Sequence, residues 1–534
     1  MYRNAVKALG VIVLTEFILL GLGYFYPESG WKLSIWGNDT VEIKYKNLAY
    51  MLDYTPSVGV KGDTVLNNLI AQGADIQSEL DSLPNEIEPP LGDKIFDIKP
   101  YKPRIPDSKF FKKDTSELGK KIKFTNPEQP NGYALDNFFE SLNGLEKTDR
   151  KDTLPLVRIA HYGDSQIEGD RVSHYLRENL HHRFGGKGVG LIPLMDVANH
   201  HAIRRSNSVN WRKYTVFKDR YINNFYGMGG TVFRFQPAVK YISPNTADSS
   251  HFEIIINSKP TYYDKGTFWL AVNNWIHYDQ ISLHWGKASD PFIIKVLDGD
   301  TVLKMDTLPA SDKYHKTCFE IPNNKKNLTF EFLASKCPDI YGVSLDGKGG
   351  IQVDNFGLRG HSGNDLARID NKYLSHQVKE LNTKLFIFQY GGNVVPYPGG
   401  DFKWLEDDLY RVLMKYKSAA PGASMLVIGV ADMAAFVEGK VISYSTVVKI
   451  RDAQKRAAER AYVAFWDLYE IMGGRGSIIS WVNSNPPLAA ADFAHFSPAG
   501  QKLIGNLLYK ALMNEYDHFL LRKELKINQQ AKGN

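Results

Sequence analysis

Cysteine is almost absent from this chain: Cys318 and Cys337 are the only two in 534 residues. That excludes a disulfide scaffold, a cysteine-ligated zinc site and an iron–sulfur cluster. An excess of one charge is lacking too. Lys and Arg total 65 against 59 Asp and Glu, a net charge of +6. No basic run is interleaved with aromatics, so nucleic acid is not an expected partner. Hydrophobic residues at 43% and charged residues at 23% are ordinary globular usage, which excludes wholesale disorder, collagen and coiled coil. At roughly 100–200 residues per domain, the length suits about three domains.

Long apolar runs are missing except near the start, where residues 8–26 follow Arg3 and Lys7 and are interrupted by Glu16. This run nears the roughly 20 residues that a helix needs to cross hydrocarbon. No small-x-small cleavage pattern follows it. The charge bias places the N-terminus inside and the body outside. The expectation is an inner-membrane anchor over residues 1–28, holding the rest at the periplasmic face of the cell envelope. A cleaved signal peptide would export the same body. Residues 29–150 read as a spacer. Proline punctuates 84–111, and one short amphipathic helix falls at 135–145, with Phe138, Phe139, Leu142 and Leu145 on one face.

From residue 154 the pattern changes to short apolar strands alternating with helices. Strands read at 156–160, 351–356, 385–389, 425–430 and 462–466; helices read at 365–381, 402–417, 447–460 and 498–519. This rhythm implies a parallel sheet covered on both faces. Between the first strand and the rest, period-2 runs at 252–256, 268–272, 281–285, 292–296 and 328–333 carry the signature of an antiparallel β-sandwich. The expected plan is an α/β domain over 151–200 and 350–525, split by an inserted sandwich over 201–349, with a tail from 526 to 534.

Three stretches hold chemistry. In His161-Tyr162-Gly163-Asp164-Ser165-Gln166, a serine stands at the exit of a strand, where its hydroxyl and backbone N–H meet the sheet edge. The same triplet also suits an ordinary helix cap. Asp492 precedes His495 by three positions, and Ser497-Pro498 then starts a helix. An aspartate so placed can accept from the imidazole Nδ1–H and leave Nε2 to take a serine proton. A capped surface loop is the plain alternative. In Gln389-Tyr390-Gly391-Gly392-Asn393, an amide at a strand end can donate to an oxyanion; a strand-ending turn would look the same.

Taken in order, these stretches resemble the SGNH (GDSL-type) hydrolases, with the remaining block at Arg359-Gly360-His361-Ser362-Gly363-Asn364-Asp365. The resemblance implies a flavodoxin-like three-layer α/β/α fold and a nucleophile at Ser165. Asp492 and His495 would complete the triad, and Ser165, Gly363 and Asn393 would be the oxyanion donors. Gly360 is the alternative to Gly363. The chain departs from the family where Asp usually follows Gly-x-Asn; here Val394 follows. The layout, with its inserted sandwich, is similar to that of periplasmic peptidoglycan O-acetylesterases. The activity this implies is removal of O-acetyl groups from an acetylated envelope glycan, with no metal or organic cofactor. Acetyl transfer to a glycan, from an acetyl-donor partner in the membrane, is a second reading. A non-catalytic glycan-binding protein is a third, and a long-chain lipase a weaker fourth. In the insert, Trp211, Trp269, Trp275, Trp285, Tyr262 and Tyr263 could stack on sugar rings, though for any one of them sandwich core or cross-strand pairing is the favoured reading.

A turn at 323–326 would pair Cys318 opposite Glu331 and Cys337 opposite Asp312. That register keeps the two sulfurs beyond disulfide reach. The expectation is two free, buried thiols.

Overall fold

The computed structural model describes residues 31–34, 40–43, 122–123, 133–147, 155–221, 223–236, 264–321, 325–398 and 400–532. The apolar run 8–26, the proline-punctuated segment 84–111, the run 252–256, Tyr262 and Tyr263 lie outside them. Among the described residues no helix is long and apolar enough to cross a membrane. Trp31–Ser34 and Thr40–Ile43 pair as an antiparallel ribbon belonging to a unit of its own.

Five strands of the main body form a parallel sheet in the order Gly350–Gly357, Leu156–Gly163, Thr383–Gln389, Ser424–Ile428, Ala464–Trp466. Counted along the chain this is the order 2-1-3-4-5. Its switch point, the place where ligands bind in open α/β sheets, falls between the first and third strands. Period-2 side-chain alternation builds the layers. Leu385 and Ile387 face a core shared with helices Asp136–Lys147, Arg171–Phe184 and Pro498–Lys532, whereas Phe386 and Phe388 face helices Asn371–Leu381 and Lys403–Ala419.

Several elements differ from the sequence reading. Residues 365–381 are not one helix: a 3₁₀ turn over Asn364–Arg368 ends before Asn371–Leu381, whose start is capped by the Asp370 carboxylate accepting from Tyr373 N–H. The last helix runs to Lys532, through residues expected to form a tail. Residues 519–532 contain no glycine or proline to stop it. Parts of the expected spacer are packed. Ile122–Lys123 adds an antiparallel edge strand beside Ala464–Trp466, and the helix Asp136–Lys147 buries Phe138, Phe139, Leu142 and Leu145 against the sheet.

Between the first two parallel strands, two antiparallel sheets share a second core. One has the order Ser311–Phe319, Gln280–Ala288, Asp339–Asp346, Thr231–Phe235, Trp211–Thr215, and Gly190–Ile192 also pairs with Asp339–Asp346. The other has the order Thr301–Leu308, Phe292–Asp298, Asn327–Ala334, Asp264–Val272, Ile203–Asn207. This architecture corrects the cysteine register. Ser311–Phe319 and Asn327–Ala334 lie in different sheets rather than forming a hairpin, and Cys318 stands opposite Ser282. Both thiols are free, but Cys318 is exposed and Cys337 is partly buried. For Trp211 and Trp285 the core reading holds. They are core residues, their indole N–H groups donating to Thr267 O (3.0 Å) and Thr317 Oγ1 (2.9 Å). Trp269 and Trp275 are 42% and 48% exposed and stay available for a ligand.

A buried guanidinium joins the two cores. Arg158, on the first parallel strand, donates to Asp354 Oδ1 on the neighbouring strand at 2.7 Å and to Asp346 at the end of a sandwich strand; all three side chains are fully buried. Asp354 Oδ1 also accepts from Leu191 N–H at 2.8 Å. Removing the guanidinium would leave buried Asp354 without a cation and Asp346 with only the more distant Lys316, at 3.9 Å, and breaking a buried pair in this way typically costs about 3–5 kcal/mol. Arg158→Ala is therefore expected to lower the unfolding free energy, read from denaturant melts, by that amount. The exposed Lys403, which pairs with Glu406 and Asp407, should cost far less when tested as Lys403→Ala, because water screens such surface pairs. Equal losses for the two variants would contradict this account.

Candidate active site

The switch point brings three distant stretches together. Ser165 sits in the turn after Leu156–Gly163, where Asp164 C=O accepts from the N–H groups of Ile167 (3.3 Å) and Glu168 (3.2 Å). A 3₁₀ turn, Glu168–Asp170, separates it from the helix Arg171–Phe184, so the serine lies further from the helix start than the sequence suggested. Gly163 permits the turn, since a Cβ there would lie 2.8 Å from Gln389 O.

Ser165 Oγ and His495 Nε2 are 2.8 Å apart, and His495 Nδ1 is 2.7 Å from Asp492 Oδ2. The other oxygen of Asp492 accepts the backbone N–H groups of Ala494 and His495, both at 3.0 Å. Burial would raise the Asp492 carboxyl, but these hydrogen bonds outweigh it and hold the group below its ordinary range. With Asp492 ionised, Nδ1 carries the imidazole proton and Nε2 is free to accept from the serine hydroxyl. The loop is fixed at its base: Ala490 N–H donates to His495 O at 2.8 Å, and Ala489 bridges to Phe496. Ser497 Oγ then accepts from Gly500 N–H at 3.2 Å as the long helix begins.

Asn393 lies in the 3₁₀ turn Gly392–Val394 after the third strand. Its amide nitrogen is 3.0 Å from His361 O and 3.3 Å from Asp164 Oδ2, so it binds the nucleophile turn to the loop after Gly350–Gly357. Gly363 has φ +89°, and a Cβ there would meet the Tyr390 ring at 2.7 Å; Gly360, at φ +78°, has open space instead. The backbone N–H groups of Ser165 and Gly363 have no acceptor among the described residues.

Sequence reasoning missed the residues that support this arrangement. Gln166 Nε2 donates to Ala494 O and so connects the serine turn directly to the histidine loop. Arg171 Nη1 donates to Ser165 O at 2.7 Å. Beneath the turn, His161 is held between Gln389 Oε1 (3.1 Å) and Ser173 Oγ (2.9 Å), and burial pushes it down to about 4. Asn355 Nδ2 donates to Ile167 O (2.8 Å) and Ser173 Oγ (2.7 Å). None of these contacts has a local sequence signature. Asp164 was quoted only as part of its triplet, yet it is 2% exposed and its carboxyl is pushed up to about 6 by burial. Among the described residues no group of His, Cys, Asp and Glu side chains could hold a metal ion.

Together, this sheet order and the Ser165 turn at its switch point make an SGNH/GDSL hydrolase-like fold. A solved peptidoglycan O-acetylesterase is similar over 74% of this chain and 99% of its own, with a TM-score of 0.55 and 17% identity. Two shorter likenesses have TM-scores too low to bear on the fold. An acetyl xylan esterase aligns over 30% of this chain and 81% of its own (TM-score 0.24, 14% identity). A protein described as a GDSL-like lipase, from Parabacteroides merdae, aligns over 30% and 72% (TM-score 0.23, 15% identity). No family model matches the sequence, and no curated protein does.

The raised Asp164 has a consequence for stability. The unfolded chain ionises this carboxyl near 4, its ordinary value, and the folded protein near 6. Between those values the folded state binds more protons, so stability falls as pH rises through the window, by at most about 3 kcal/mol. Asp164→Asn is expected to flatten the change in unfolding free energy between pH 4 and 6.5. An unaltered slope would show that Asp164 is not the titrating group.

Proposed function

We propose that this protein is a serine esterase that removes O-acetyl groups from a cell-envelope glycan. The observation that carries the reading is the hydrogen-bonded series Ser165–His495–Asp492 at the switch point of an SGNH-type sheet. Ser165 Oγ attacks the acetyl carbonyl carbon while His495 Nε2 takes its proton. The carbonyl oxygen becomes an oxyanion held by the N–H groups of Ser165 and Gly363 and by the Asn393 amide, whose longer contact, to Asp164, is the one given up. As the intermediate collapses, His495 returns the proton to the departing sugar oxygen and acetyl-Ser165 remains. Water, deprotonated by His495, then releases acetate and restores the serine. Gly363 is preferred to Gly360 because its backbone is held against Tyr390, at the foot of the Asn393 turn.

The glycan specificity is supported by the similar O-acetylesterase and by the exposed Trp269 and Trp275 on the inserted sandwich. Export to the periplasmic face and anchoring through residues 8–26 belong to the same proposal, because the substrate is found there.

Acetate release from O-acetylated glycans and hydrolysis of p-nitrophenyl acetate test it. Ser165→Ala and His495→Ala should each lower kcat by about 10⁴-fold or more, and the double variant should be no worse than either. Asp492→Asn should retain more activity, since it disturbs the tautomer rather than the attacking group. Asn393→Ala should lose about 10²–10³ in rate. A loss below tenfold would move the oxyanion role elsewhere, and full activity in Ser165→Ala would overturn the reading.

A further inference from the structure

A cavity beside the nucleophile turn carries more positive charge than its surroundings neutralise. One wall belongs to the α/β body, with Gly169, Gly357 and Leu358; the facing wall is built from the insert, with Asp196, Arg205 and Lys213. Leu358 N–H donates to Gly163 O at 2.9 Å, so the first wall adjoins the strand end that leads into the Ser165 turn. The two cations come from different sheets of the sandwich, Arg205 from Ile203–Asn207 and Lys213 from Trp211–Thr215.

Arg205 is 7% exposed. Its Nη2 lies 2.9 Å from Asp196 Oδ2, but neither terminal nitrogen is aligned for a hydrogen bond and Nη1 has no acceptor. Lys213 Nζ is 3.8 Å from the other oxygen of the same carboxylate. Nearby acids are committed elsewhere. Glu168 is held by Arg359 Nε at 2.9 and 3.0 Å, and Asp170 is held by both terminal nitrogens of Arg177. His200, on the same wall, is pushed down to about 3 by burial and adds no charge. Two cations therefore share one carboxylate in a half-enclosed site. Burial lowers the proton affinity of both Arg205 and Lys213, as expected where negative charge is short. A charge left unpaired in such a place is costly, and a packing role alone would be met better by apolar side chains. A ligand carboxylate would accept from Arg205 Nη1 and Lys213 Nζ and complete the balance.

We infer that this cavity is a subsite for the carboxylate of a sugar acid in the glycan chain, adjoining the residue whose acetyl ester reaches Ser165. The inference rests on the esterase reading for its substrate, and binding tests it separately from turnover. Calorimetric titration of full-length Ser165→Ala would compare N-acetylmuramic acid, whose carboxylate is on a lactyl ether, glucuronic acid, whose carboxylate is on the ring, and neutral N-acetylglucosamine. The expected result is at least tenfold tighter binding of one or both acids than of the neutral sugar; which acid wins identifies the carboxylate's position. Lys213→Gln and Arg205→Gln should erase that preference, and Arg205→Lys should restore part of it. Lys213 is the less buried of the two, so Lys213→Gln still decides the matter if an Arg205 variant fails to fold. Equal binding of acids and neutral sugar, no binding of either acid, or a preference that survives Lys213→Gln would overturn the subsite. Failure of the esterase reading would instead appear as no acetate release while the acids still bind.

Discussion

A hydrogen bond between side chains 330 positions apart, Ser165 Oγ to His495 Nε2, is the constraint on which the rest of the structure depends. Neither residue can find the other through local structure. The serine turn is positioned by the first parallel strand and the histidine loop by the start of the last helix, and the three-layer packing sets the distance between them. Gln166, reaching from the serine turn to Ala494 O, couples the two loops independently of the reacting atoms. The imidazole therefore does not have to be held by the bond it must break in catalysis, which is what a preorganised site requires.

The insertion imposes a second constraint. A sandwich placed between the first two strands must leave those strands adjacent and parallel. The Arg158–Asp346–Asp354 cluster does this in part, since one guanidinium on the first strand is shared by an acid on the second and an acid at the end of the sandwich. Such a buried network contributes orientation more surely than stability. It joins the insert to the first two strands of the sheet.

Much of this was legible in the sequence where the signal is local. Short apolar strands between amphipathic helices revealed the parallel sheet, because strand and helix periods differ. Gly163-Asp164-Ser165 and Asp492-x-x-His495 were recognisable because turns and helix starts select few residue types. Pairing between distant strands was not legible. The run around Cys318 looked like half of a hairpin with the run around Cys337, yet the two strands joined different sheets, as a sandwich permits and a local turn signal cannot reveal. The tryptophans could not be sorted for a related reason: alternation places Trp285 and Trp269 on strands, but only the packing of the sheets decides that the first is buried and the second is not. Asp164 and Gln166 look like ordinary turn residues until Asn393 and Ala494 arrive from elsewhere in the chain.

The central claim is that Ser165 is an activated nucleophile and not merely a serine beside a histidine. Labelling with a small fluorophosphonate, followed by peptide mass spectrometry, tests this without knowledge of the glycan. The account predicts one phosphonylated site, at Ser165, formed rapidly in the native protein and at least about 10³-fold more slowly in His495→Ala. Labelling at another residue, or a rate at Ser165 indifferent to His495, would contradict it.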